Sequence, residues 1–205
     1  MSKPRFIAFE GIDGSGKSTQ VKLLAHKLES LGHKVYTTCE PTSGPIGKLI
    51  RDIFNHRYEA DHRVIAGLFV ADRLEHILNE KNGMLKMLKE GYTVITDRYY
   101  FSSYAYHSVH MPMDWVIQAN SMSADLLKPD LNIFVDVAPE VSIERLHTGR
   151  AEIELYENLE NLKSVRAKYL EAFETFKNKE AISIVDGNRP PDEIASDILE
   201  KVLAI

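Results

Sequence analysis

One cysteine, Cys39, stands in 205 residues. No disulfide can form within the chain, and the sequence suits a reducing cytosol. Long apolar runs are missing too: nothing approaches the roughly 20 residues that a membrane-spanning helix needs. The opening Met1-Ser2-Lys3-Pro4 runs straight into a first strand, so neither a membrane segment nor a signal peptide is expected, and the expected location is cytoplasmic. Basic residues do not outweigh acidic ones: 25 Lys and Arg against 30 Asp and Glu leave a net charge of −5. That balance argues against a broad nucleic-acid-binding surface. No repeat, low-complexity stretch or Gly/Ser-rich linker divides the chain, so residues 1–205 are expected to form one domain. With 44% hydrophobic and 27% charged residues, the composition is that of a globular protein.

Against that background the stretch Arg5-Phe-Ile-Ala-Phe-Glu-Gly-Ile-Asp-Gly-Ser-Gly-Lys-Ser-Thr19 stands out. Phe6 to Phe9 form an apolar run of strand length. Gly11, Ile12, Asp13, Gly14, Ser15, Gly16, Lys17 and Ser18, followed by Thr19, match the phosphate-binding P-loop G-x-x-x-x-G-K-[ST]. Its glycines let the backbone curl with N–H groups inward, and the helix opening near Lys17 adds the positive end of its dipole. Lys17 is expected to reach the β- and γ-phosphates of a nucleoside triphosphate and Ser18 to ligate Mg²⁺. Val21, Leu24, Leu28 and Leu31 then mark one apolar stripe of that helix. A phosphate ligand on an acidic chain must be met by local cations, which directs attention to Lys17, Arg73, Arg98, Arg145 and Arg150.

Periodicity and punctuation predict five strands alternating with helices. The strands are Phe6–Phe9, His33–Cys39, Tyr92–Thr96, Leu131–Val137 and Ala181–Val185. Between them, helices are predicted after Pro45, at 60–80, at Met84–Lys89, at about 102–108 and 114–127, from Pro139 to about Leu146, in a charged segment to Lys179, and over Pro190–Leu203. For the helix at 60–80 the stripe Val64, Leu68, Ala71, Leu74 and Leu78 predicts the buried side. The alternation implies an α/β fold, a doubly wound five-stranded parallel sheet with helices on both faces, and with the P-loop it is of the P-loop NTPase kind. Ligands of such sheets lie beyond the carboxyl ends of the strands. The P-loop, Glu40-Pro41, Asp97-Arg98 and Asp186-Gly187-Asn188 all fall there. Thr93 to Asp97 reads as an apolar strand delivering a carboxylate for Mg²⁺, and Arg98 places a cation where a second phosphate group binds.

The P-loop together with Asp97-Arg98-Tyr99 and Ser102-Ser103-Tyr104-Ala105-Tyr106 resembles the thymidylate (dTMP) kinase family, and the resemblance extends over nearly the whole chain. It takes in Glu40-Pro41, Phe69-Val70-Ala71-Asp72-Arg73 and Tyr156-Glu157. The resemblance implies that Asp13 accepts a hydrogen bond from the deoxyribose 3′-hydroxyl and that Phe69 stacks on thymine. Arg73, one helical turn on, holds the base or monophosphate; i, i+4 spacing puts both on one helix face. Ser103 is implied to contact the base, Tyr106 to pack against C2′, and Glu40, Pro41, Arg98 and Tyr156 to complete the dTMP site. Residues 147–157 resemble a lid whose Arg150 swings over the ATP phosphates, with Arg145 packing on adenine or the triphosphate. One branch of the family carries an arginine inside the P-loop, where this chain has Gly14; another carries several lid arginines, where Arg150 is followed by Ala-Glu-Ile-Glu-Leu. Which cation spans donor and acceptor stays open on these grounds. A homodimer is implied by the family, and apolar helix surface at 64–78 and 114–127 offers an interface.

The implied reaction is ATP + dTMP → ADP + dTDP. The acceptor phosphate, with a second pKa of about 6, is largely ionised at neutral pH and needs no general base. The barrier lies in joining two polyanions of combined charge roughly −6 and stabilising in-line transfer. A deoxynucleoside kinase is the runner-up: it phosphorylates a neutral hydroxyl and needs a base, for which Glu40 is the candidate. The loop lacks the Gly-x-Pro-Gly-x-Gly-Lys form of adenylate kinases. A GTPase switch would show Asn-Lys-x-Asp or Thr-Lys-x-Asp, and neither occurs.

Overall fold

Phe6–Glu10 is buried along its whole length and forms β1, the centre of a five-stranded, all-parallel sheet ordered β2-β3-β1-β4-β5. The structure is a computed structural model that describes residues 3–149, 155–156 and 158–205. The other strands are β2 (Val35–Cys39), β3 (Thr93–Asp97), β4 (Leu131–Asp136) and β5 (Ile182–Asp186). The helices are α1 (Lys17–Ser30), α2 (Pro45–Phe54), α3 (His62–Leu78), α4 (Met84–Lys89), α5 (Tyr100–His107), α6 (Met113–Leu126), α7 (Pro139–Gly149), α8 (Leu159–Phe176) and α9 (Pro191–Leu203).

The three inner strands read as near-continuous apolar runs because both of their faces are covered. Alternation along β1 divides the core in two. Ile7 and Phe9 pack with Val21, Leu24 and Leu28 of α1 and Ile194 and Ile198 of α9. Phe6 and Ala8 face the opposite layer, with Tyr104 and Tyr106 of α5 and Leu162, Val165 and Tyr169 of α8. Parallel pairing sets Phe9 and Cys39 opposite Asp97, and Glu10 opposite Phe134, so the chemistry-bearing strand ends leave the sheet at one edge. The order of strands reverses at β1, between β3 and β4, which is where a crevice forms in such sheets.

Two expectations about faces are corrected. Leu31 does not continue the buried stripe of α1: it is the C-cap and 55% exposed. In α3 the buried side is Ile65, Ala66, Phe69, Asp72, Arg73, His76 and Ile77, while Val64, Ala71 and Leu78 are exposed. The inner face lies one residue round from the expected stripe, about 100°. The reason is a polar core that a count of apolar residues does not see. Asp72 accepts from the backbone N–H and hydroxyl of Thr42 at 2.7 and 2.6 Å, and Arg73 and His76 turn inward to Glu40.

Candidate active site

Beyond the carboxyl ends of β1, β2 and β3 lies a cavity of about 580 Å³. Its walls come from the P-loop, the β2 end with α2, Phe69 in the middle of α3, the β3 end with α5, and α7 with Tyr156.

The P-loop wraps around Lys17, whose Nζ donates to the Ile12 carbonyl at 2.9 Å and lies 3.5 Å from the Ser15 hydroxyl. Burial, reinforced by the charge of Arg98, lowers the Lys17 ammonium to a pKa of about 8 despite Asp97, Asp13 and Glu10 nearby. Asp13, Gly14, Gly16, Lys17, Ser18 and Thr19 line the cavity; Gly11, Ile12 and Ser15 form the loop behind them. Gly14 sits at φ 78°, and a Cβ there would stand 2.5 Å from the Ser142 carbonyl oxygen of α7. A side chain at this position is thus barred both by backbone conformation and by the neighbouring helix. An arginine inside this loop has no room, and a cation bridging two phosphates must come from elsewhere.

At the start of α1 the Ser18 hydroxyl donates directly to Asp97 Oδ2. Two hard oxygen ligands are therefore in contact beside the P-loop, a donor set that fits Mg²⁺. Asp97 also lies beside Arg98, whose φ of 76° is left-handed. For a residue with a side chain that conformation costs about 1–3 kcal/mol and persists only where the surroundings enforce it. Here the Arg98 N–H donates to the Phe9 carbonyl at 2.8 Å, and the guanidinium donates to the Gly11 carbonyl at 3.0 Å, to Ser102 Oγ at 3.1 Å, to the Tyr106 hydroxyl at 3.1 Å and to Asp13. The same guanidinium lies 4.8 Å from the centre of the Tyr106 ring. Tyr106 in turn donates to Asp13 Oδ2 at 2.7 Å. Burial alone would raise the Asp13 carboxyl, but Arg98 and Lys17 outweigh it and hold the group below its ordinary value. Asp13, Arg98 and Tyr106 are thus one preassembled cluster.

Phe69 and Ser103 line the cavity, as do Glu40, Pro41 and Tyr156. Arg73 does not. It is fully buried one layer behind, where its Nε and Nη2 grip Glu40 Oε2 at 2.9 and 2.6 Å, and Ser103, Asn120 and the Tyr99 carbonyl take its remaining contacts. The other Glu40 oxygen lies 3.1 Å from His76 Nδ1. Arg145 lines the cavity from α7 and donates to the Gly187 carbonyl at 3.1 Å. Arg150 and Glu157, with residues 151–154 of the expected lid, lie outside the described residues.

Several lining residues were not anticipated. Arg51 donates to the Pro41 carbonyl at 2.8 Å. Its signal was Gly47, four residues earlier on α2, where a Cβ would meet the Thr42 carbonyl at 2.0 Å: a glycine forced by close approach places the residue one turn later over the same loop. His107 lies 5.3 Å from the Phe69 ring, and its Nδ1 has no hydrogen-bond partner among the described residues. Burial, then Arg73, His110 and His62, push its pKa down to about 3, so it is neutral. Phe54 and Ser102 also line the wall; Ser102 opens the Ser-Ser-x-Ala-Tyr motif without having been given a role, and nothing in the local sequence marked Phe54.

A family model for thymidylate kinase matches residues 9–198. A probable thymidylate kinase of Pyrobaculum aerophilum is 40% identical over 198 residues, covering 96% of this chain and 95% of that protein. Those of Pyrobaculum calidifontis and Pyrococcus horikoshii are each 39% identical over 203 residues, covering 97% and 96% of this chain and 97% and 95% of the respective relative.

Proposed function

This chain belongs to the thymidylate kinase family and is an ATP-dependent kinase of dTMP; we propose the following division of that reaction among its residues. Lys17 and the P-loop amides take the β- and γ-phosphates of ATP, and Arg98 takes the monophosphate of dTMP. The observation that carries this reading is the pair of cations lining one cavity, buried Lys17 and partly buried Arg98, with the Ser18–Asp97 contact beside them. One cation serves the donor and one an acceptor that already carries charge. Ser18 and Asp97 would hold Mg²⁺, which shields the transferring phosphoryl oxygens when bound.

The runner-up, a deoxynucleoside kinase, required a base at Glu40. Both oxygens of that carboxylate are engaged, one by Arg73 and one beside His76, and the pair is buried. No comparable demand falls on a phosphate acceptor, which arrives ionised. Phe69 and His107 flank the thymine ring, with Ser103 at its polar edge and Arg73 holding Ser103 from behind. Asp13 and Tyr106 face the sugar. With Gly14 unable to carry a side chain, Arg150 of the expected lid is the bridging cation, although residues 147–149 of that lid belong to α7, and Arg145 lies toward the adenine. The whole chain works as one domain. α3 packs against α6, and Val64, Leu78, Trp115, Met122 and Leu126 on them stay exposed, which supports a homodimer through that surface. The free thiol of Cys39 is in keeping with a cytoplasmic location.

Replacing the acceptor cation tests the division directly. Arg98→Ala should raise the KM for dTMP by about 10- to 150-fold, the worth of a charge-assisted contact, and leave the KM for ATP nearly unchanged. A rise confined to ATP would require the two roles to be exchanged.

A further inference from the structure

Glu10, the last residue of β1, has no part in the assignments above and does not line the cavity, yet it is fully buried directly behind it. Three donors converge on its carboxylate. The Tyr99 N–H reaches Oε1 at 3.0 Å, while the Ser102 and Tyr169 hydroxyls reach Oε2 at 2.5 and 3.1 Å. Each of them also bears on Arg98. Tyr99 N–H belongs to the peptide that follows the left-handed Arg98, so its bond fixes the plane in which the turn leaves the strand. Ser102 and Tyr169 accept from Arg98 Nη1 at 3.1 and 3.4 Å and lie 2.8 Å from each other. One carboxylate therefore holds both ends of the arginine, its backbone and, through two hydroxyls, its guanidinium.

We infer that Glu10 is a positioning residue for the acceptor site, holding Arg98 in its left-handed turn and aiming the guanidinium at the incoming phosphate without touching substrate. The inference rests on the assignment of Arg98 to the dTMP monophosphate. A bond network of this kind holds a group to a fraction of an ångström, and a misplacement of about 1 Å at a reacting centre costs up to about 100-fold.

A role in the core alone would leave the charge of Glu10 without consequence, and that separates the two accounts. The titratable and charged groups around it are Arg98 and Tyr99 at the β3 end, Tyr104 on α5, Tyr169 on α8, Lys17 on α1 and Arg73 on α3. Burial raises its pKa to about 7 against the pull of Ser102, Arg98, Tyr169 and Arg73. Below that pH the group is neutral and leaves the full charge of Arg98 to the substrate. Above it, the carboxylate competes with the substrate phosphate for the same guanidinium.

The experiment measures KM for dTMP and for ATP across about pH 6.5 to 8.5, where dTMP is already largely dianionic, in the wild type, Glu10→Ala, Glu10→Gln and Arg98→Ala. Glu10→Ala should raise the KM for dTMP about tenfold or more with that for ATP within about twofold. Glu10→Gln keeps the shape and an acceptor for the Tyr99 N–H, so it should retain near-normal KM at neutral pH. In the wild type the KM for dTMP should climb several-fold as pH rises through 7; in Glu10→Gln it should stay level. Equal rises in both KM values for Glu10→Ala, or a Glu10→Gln profile parallel to the wild type, would overturn the inference. If Glu10→Ala does not fold, the Gln profile decides alone. An Arg98→Ala enzyme with unchanged KM for dTMP would instead overturn the assignment beneath it, and the inference with it.

Discussion

A folded Lys17→Ala protein should turn over dTMP about 10²–10³ times more slowly than the wild type, the usual cost of removing one preorganised charge from a transferring group. The structure makes the loss specific. The Lys17 ammonium group binds the Ile12 carbonyl of the loop that it will share with ATP phosphates. Circular dichroism and thermal melting of the variant should match the wild type, while single-turnover rates collapse. The same group predicts a pH effect. In the free enzyme the Lys17 pKa is lowered to about 8 by burial and by Arg98, so the ammonium is present below that pH and lost above it. The KM for ATP should therefore rise above about pH 8, and ATP binding should draw the pKa upward. Near-normal turnover in a folded Lys17→Ala protein would remove the P-loop assignment.

Arg73→Ala should lower the free energy of unfolding by about 3–5 kcal/mol, because it strands a buried carboxylate. Arg73 and Glu40 are 0% and 1% exposed in their side chains, at 2.6 Å, and no water can replace the missing guanidinium without entering the layer between α3 and the β2 end. Ser103 and Asn120 lose a donor at the same stroke. Urea unfolding should show the midpoint shift, and Arg73→Ala combined with Glu40→Gln should recover part of it, since the second change removes the uncompensated charge. An Arg73→Ala protein of wild-type stability that had lost only dTMP affinity would instead make Arg73 a direct ligand.

These two residues also show how far the chain could be read before its structure. Lys17 was legible because its role depends on local order: strand, glycines, lysine, helix start. Asp97 and Arg98 followed from an apolar strand ending in a carboxylate, and the parallel sheet followed from the alternation of elements. Arg73 was singled out as a cation for the ligand, but the structure pairs it with Glu40 behind the cavity: spacing along α3 does not tell whether a guanidinium points to ligand or to a buried partner 33 residues away in sequence. The same blindness misplaced the buried face of α3. Apolar periodicity assumes a greasy core, and this helix turns Asp72, Arg73 and His76 inward because Thr42 and Glu40 are there to receive them. Glu10 stayed silent for a related reason: its three donors come from positions 99, 102 and 169, brought together only when α5 and α8 cover the sheet. Gly14 is the converse case. Its identity was visible, but its φ of 78° and the Ser142 carbonyl against it explain why no larger residue serves.

The central claim is that this cavity joins a nucleoside triphosphate to a deoxynucleotide that already bears a phosphate. Product analysis with Mg-ATP and, in parallel, dTMP, thymidine and ribothymidine monophosphate tests it most directly. Tyr106 donates to Asp13 at 2.7 Å, and in the proposed reading this pair faces the sugar and offers a 2′-hydroxyl no partner. Burying such a hydroxyl without a partner costs about 1–3 kcal/mol, so dTMP should be preferred over its ribose counterpart by about 5- to 150-fold in kcat/KM. ADP and dTDP should appear in equal amounts with dTMP, and thymidine should remain unphosphorylated. Thymidine consumed as readily as dTMP, or ATP hydrolysed at the same rate with no acceptor present, would contradict the account.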